Sequence, residues 1–137
     1  MEYNSEWTLD SACSFHYTLH RNWFASYAKA NGGSVSLGDD HRCKVAGVGT
    51  IRVRMYDGVI RMLINVRHVP ELKKNLISLG YLEKQGYAFS YSPGSGCLKI
   101  TKGALVVMRG RLSNNLYKME SLVMTDSAEI LAAAQEE

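Results

Sequence analysis

Residues 51–66 carry an alternation that commits this stretch to a β-hairpin. Ile51, Val53 and Met55 alternate with Arg52 and Arg54, the period of a strand with one face buried. Tyr56-Asp57-Gly58 interrupts the run with a hairpin signal, and Ile60, Met62, Ile64 and Val66 alternate on the way back. Val69-Pro70 closes the second strand, because proline removes a ladder donor. Val35-Ser36-Leu37 is a further strand candidate, ended by the turn cluster Gly38-Asp39-Asp40. Residues 87–91, 98–101, 105–108 and 116–119 add four more, punctuated by Gly94-Ser95-Gly96, Lys102-Gly103 and Asn114-Asn115. Many short strands at this turn spacing predict an all-β chain, folded as a closed or nearly closed β-barrel.

Helix is scarce. Residues 79–85 predict one short helix after the Leu76-Ile77-Ser78 strand, with Ser78 as N-cap and a stop at Gly86. Residues 21–30 predict a second short turn of helix. From Asp126 onward, helix formers such as Ala132-Ala133-Ala134 lack an apolar face. Residues 121–137 are therefore expected to be a linker or frayed helical tail, outside a barrel spanning 1–120.

The chain has 137 residues, enough for one domain with a core but too few for two full lobes. No apolar run approaches a membrane span, and residues 1–6 lack the features of a signal peptide. A net charge of +3 does not argue for nucleic acid. Three cysteines suggest a reducing compartment rather than a disulfide scaffold. The expectation is a soluble, cytoplasmic domain without membrane contact or direct nucleic-acid binding.

One triplet carries chemistry. Asp10-Ser11-Ala12 follows the apolar run Trp7-Thr8-Leu9, so a strand delivers a carboxylate into a tight turn with a hydroxyl beside it. Aspartic proteolysis needs two carboxylates sharing one proton, one holding the water as base and the other donating to the scissile carbonyl. This chain supplies one, so two copies must meet to complete a site. Without further support, Asp10 reads as an aspartate capping a strand-to-turn junction.

That support comes from three segments in order. Trp7-Thr8-Leu9-Asp10-Ser11-Ala12-Cys13-Ser14-Phe15-His16 resembles the tryptophan-led catalytic segment of the retropepsins of copia-type (Ty1/copia) retrotransposon Gag-Pol polyproteins. Residues 44–53, containing Ala46-Gly47-Val48-Gly49, resemble that family's glycine-containing flap. Residues 65–80, with Val69-Pro70-Glu71-Leu72 and Asn75-Leu76-Ile77-Ser78, are similar to its proline-led third motif. Residues 102–117 resemble the segment leading toward the pre-integrase region.

The resemblance implies a retropepsin-like aspartic endopeptidase, a hydrolase without cofactor. It would act as a homodimer on its own polyprotein, within a virus-like particle if the element is active. Asp10, Ser11 and Ala12 would form each half of the catalytic site, with an acidic pH optimum from the shared proton. Ala46, Gly47, Val48 and Gly49 would close over an extended substrate; Leu76, Ile77 and Ser78 would support its groove. Ala12 departs from the glycine of most retropepsins, so a barrel that binds peptides without cleaving them is the alternative.

Cys13, His16, His20, His41 and Cys43 offer soft and borderline metal ligands. Their spacing fits no standard zinc pattern, and no metal is expected. Were there one, Cys13, His16, His41 and Cys43 would close it across two loops.

Overall fold

The computed structural model describes residues 6–30, 33–36 and 41–125. The expected tail from Asp126 lies outside them. Strands β1 (Trp7–Asp10) and β2 (Tyr17–Thr18) are followed by a 3₁₀ turn at Arg21–Trp23. Then come β3 (Ser26–Lys29), the short pair β4 (Ser34–Ser36) and β5 (Arg42–Lys44), and the long hairpin β6 (Gly47–Met55) and β7 (Ile60–His68). Strand β8 (Asn75–Ser78) leads into α1 (Leu79–Lys84). The remainder is β9 (Ala88–Tyr91), β10 (Cys97–Lys102), β11 (Leu105–Ser113), β12 (Leu116–Met119) and β13 (Ser121–Val123).

The chain is thus mostly β with one short helix. Ser78 caps that helix as its composition predicts, its Oγ accepting from the Tyr81 amide at 3.0 Å. The strands form one hydrogen-bonded path, β13-β6-β7-β2-β8-β1-β12-β11-β10-β9, with β3 added to β6 and β4–β5 a separate hairpin. The expected closure of the barrel is not found among the described residues: β13 and β9 remain at the two ends. The sheet still curls strongly. The Tyr56 hydroxyl, at the tip of the long hairpin, donates to the Val106 carbonyl of β11 at 3.1 Å.

The main core joins Trp7, Ile51, Val53, Ile77 and Ile100, all fully buried. A smaller cluster of Tyr17, Cys43, Val69 and Leu72 ties β5 to the turn after β7.

Three local expectations change. Residues 26–29 are strand, not helix, because β3 pairs along the first half of β6, Ser26 opposite Thr50 and Lys29 opposite Gly47; tertiary pairing overrides helix propensity here. The alternating residues of β7 do not share a face. The β6–β7 register passes from Gly49 opposite Val66 to Ile51 opposite Leu63, so β7 carries one extra residue. Asn65, at φ 55°, lies within that bulge. Val66 and Leu63 are buried, whereas Ile60, Met62 and Ile64 face outward at 44%, 50% and 39% exposure. Finally, the sheet does not stop at 120: β13 pairs with β6, Leu122 opposite Arg54.

Candidate functional site

Strand β1 runs parallel to β8 in a register that sets Asp10 beside Ser78. Asp10 Oδ1 accepts from the Ala12 amide at 2.7 Å, closing the turn on itself. Ser11 and Ala12 are exposed on that turn. Ser78, fully buried, fastens the chain just beyond it. Its Oγ donates to the Cys13 carbonyl at 2.7 Å, and its amide donates to His16 Nδ1 at 2.9 Å. The 11–16 loop is therefore held by the same residue that caps α1. Burial lowers the His16 pKa to about 4, so the ring is neutral and free to accept.

Below Ser78, Asn75 anchors the start of β8. Its Oδ1 accepts from the Thr18 hydroxyl at 2.6 Å and from the Leu19 amide at 3.2 Å, and its Nδ2 donates to the Glu6 carbonyl at 3.0 Å. Of the three residues expected to support the groove, Leu76 faces the cleft beside Asp10. Ser78 acts through the loop, and Ile77 points the other way into the main core.

The cleft has a volume of about 780 Å³, with Asp10 and Ala12 on one wall and Val35, Ser36, His41 and Cys43 on another. The second wall is the β4–β5 hairpin, in which Val35 pairs with Cys43. Ala46, Gly47, Val48 and Gly49 do not line this cleft. Gly47 and Gly49 sit inside the sheet, between β3 and β7. A methyl group on Gly47 would overlap the Tyr27 ring, and one on Gly49 would overlap the Ser26 carbonyl. Their glycines answer a packing demand. Of this hairpin the sequence marks only the strand candidate Val35-Ser36-Leu37 and the turn cluster Gly38-Asp39-Asp40, of which residues 37–40 lie outside the described residues.

Cysteine chemistry is not favoured at this turn. The Cys13 thiol is pushed up to about 11, first by burial and then by the charge of Asp10, and it faces the Asp10 carbonyl at 3.9 Å. His16, three residues on, is turned to Ser78. The alternative metal-ligand set of Cys13, His16, His41 and Cys43 is not brought together as a group among the described residues. His41 and Cys43 converge with Glu71 instead, a residue whose sequence context, a Pro-Glu turn, carries no ligand-spacing signal.

The family described as Pol polyprotein, beta-barrel domain, matches residues 7–87, from β1 to just before β9. The chain belongs to this family. Over 133 residues it is also 35% identical to the Retrovirus-related Pol polyprotein from transposon TNT 1-94 of Nicotiana tabacum. That alignment covers 97% of this chain and 10% of the tobacco protein, so the chain spans about a tenth of its relative's length. No solved structure matches. This Pol β-barrel domain comes from the Pol region of a copia-type retrotransposon, and strands β9–β13 lie beyond the segment that defines the family.

Proposed function

We propose that this domain is the aspartic endopeptidase of its polyprotein, with a site built from Asp10 of two copies. The observation that carries the reading is the setting of Asp10. It ends a buried strand, is fixed in a tight turn by the Ala12 amide, and opens onto a cleft large enough for an extended peptide. The β4–β5 hairpin is the flap in this reading, since it forms the wall facing Asp10. Two such carboxylates close together share a proton, so that one activates water while the other donates to the oxygen of the scissile carbonyl, and the amine leaves when the C–N bond breaks. Ser78 acts as a positioning residue, holding the turn rigid through the Cys13 carbonyl. The substrate is the Gag-Pol polyprotein, cut in the cytoplasm or inside a virus-like particle.

The test is cleavage of a longer precursor, this chain with its natural flanks, at high protein concentration between about pH 4 and 7. Asp10→Asn should abolish cleavage while leaving the fold intact. Equal product patterns from the two proteins would sink the reading.

One observation favours a second reading, a barrel that binds peptides without cleaving them. Strand β1 is paired on both sides within one chain, by β8 and by β12, Thr8 opposite Lys118. A partner copy therefore cannot add to that strand and must approach through the 11–14 turn. Sedimentation of the folded precursor separates the two: a strict monomer at high concentration supports the binding module.

A further inference from the structure

We infer that His41, Cys43 and Glu71 form a binding site for a zinc-class divalent cation, which ties the β4–β5 hairpin to the turn after β7. One ligand atom from each of the three residues lies within 4.8 Å of the others, so small side-chain rotations bring them to the separations of roughly 3.3–3.8 Å that a tetrahedral ion with bonds of about 2.0–2.3 Å requires. The backbone makes the convergence possible. Cys43 lies in the middle of β5 and His41 immediately precedes that strand, two residues away. Glu71 sits in the Pro70-Glu71 turn, which is held by the Leu72 amide donating to the Val69 carbonyl at 3.1 Å. The two segments are fixed to each other: the Ala46 amide donates to the His68 carbonyl at 2.8 Å, and Cys43 packs with Val69 and Leu72.

The donor set selects the metal. A thiolate with an imidazole and a carboxylate prefers zinc over magnesium or calcium, which take oxygen ligands. On binding, the Cys43 thiol loses its proton to solvent and forms the metal–sulfur bond. Thiolate and carboxylate together then neutralise the dication. Cys43 is fully buried and outside any disulfide, whereas His41 and Glu71 are exposed, so the ion enters from solvent. Three protein ligands leave a fourth position for water or a group of a bound peptide. The site goes beyond the proteolytic reading, because it needs no catalysis by Asp10. That the tie would hold the β4–β5 wall of the cleft in place over a substrate rests on that reading.

The test uses the full chain, kept reduced, titrated with Zn²⁺ and with Co²⁺ as a spectroscopic probe. One ion per chain is expected, with a thiolate-to-cobalt charge-transfer band. His41→Gln and Glu71→Gln, both surface changes, should each weaken binding by about tenfold or more, while Cys13→Ser and Asp10→Asn should not. Hydrogen exchange in β4 and β5 should slow when Zn²⁺ is added. No binding at submillimolar metal, or binding indifferent to both ligand variants, would overturn the site. Weakening by Asp10→Asn instead would assign the ion to the acidic turn and overturn it equally. Binding without slower exchange would overturn the tie between hairpin and turn.

Discussion

The amide of Ser78 donates to Nδ1 of His16 at 2.9 Å, joining residues 62 positions apart beneath the turn that carries Asp10. An accepting Nδ1 puts the imidazole proton on Nε2. His16 is 1% exposed, so protonating it would both bury a charge and remove the acceptor. The loop holding the candidate catalytic carboxylate thus depends on a histidine staying neutral.

That dependence sets a pH window. The folded pKa of His16, about 4, lies below the ordinary value of 6.5, so the unfolded chain takes up the proton first. Stability from this group is complete above about pH 6.5 and is lost as pH falls toward 4, on the order of 3 kcal/mol in all. Urea midpoints measured at stepped pH should show this decline. His16→Phe should flatten it and lower stability at neutral pH by roughly 1–3 kcal/mol, since the Ser78 amide loses its partner. A protease with an acidic optimum would meet this limit at the low end of its profile.

Asn75 should tolerate little. Asn75→Ala leaves the Thr18 hydroxyl, the Leu19 amide and the Glu6 carbonyl without their shared partner. A loss of roughly 2–3 kcal/mol is expected from chemical denaturation. Asn75→Asp should recover part of it, by keeping the acceptor for Thr18 and Leu19.

Gly49→Ala separates packing from flap motion. The added methyl meets the Ser26 carbonyl of the neighbouring strand, so the variant should lose about 3 kcal/mol or more and be recovered largely unfolded. A stable Gly49→Ala protein altered only in substrate affinity would return the flap role to this segment.

Cys13 should resist alkylation. With its thiol pushed up to about 11, little thiolate exists at pH 8, and its modification should be about two orders of magnitude slower than that of a free cysteine. Peptide mapping after iodoacetamide treatment measures this. Asp10→Asn should speed the reaction, because the Asp10 charge is the second cause of the shift.

Much of the β architecture was legible because a strand advertises itself through period two and its turns through glycine and asparagine. The Ser78 cap was equally plain, since capping is a local affair. The features that escaped are those settled between distant segments. Nothing near Asn65 announces that an extra residue will reverse the facing of Ile60, Met62 and Ile64. The glycines at 47 and 49 look like a mobile loop until Tyr27 and Ser26 are seen lying across them. Residues 26–29 read as helix because their pairing with β6 is invisible locally. Asp10 was legible as a turn carboxylate, but the hairpin facing it was not.

The pairing of β1 with β12 also has a consequence for the order of events during synthesis. Trp7 and Leu9 leave the ribosome long before the strand that completes their sheet, which ends at Met119. Glu6 meets Lys118 at 3.1 Å, 112 positions later. Such long-range closure is slow, and a nascent chain halted before residue 116 would display β1 with one edge bare. Folding of this domain therefore waits on translation of residues well past the 7–87 stretch by which its family is recognised.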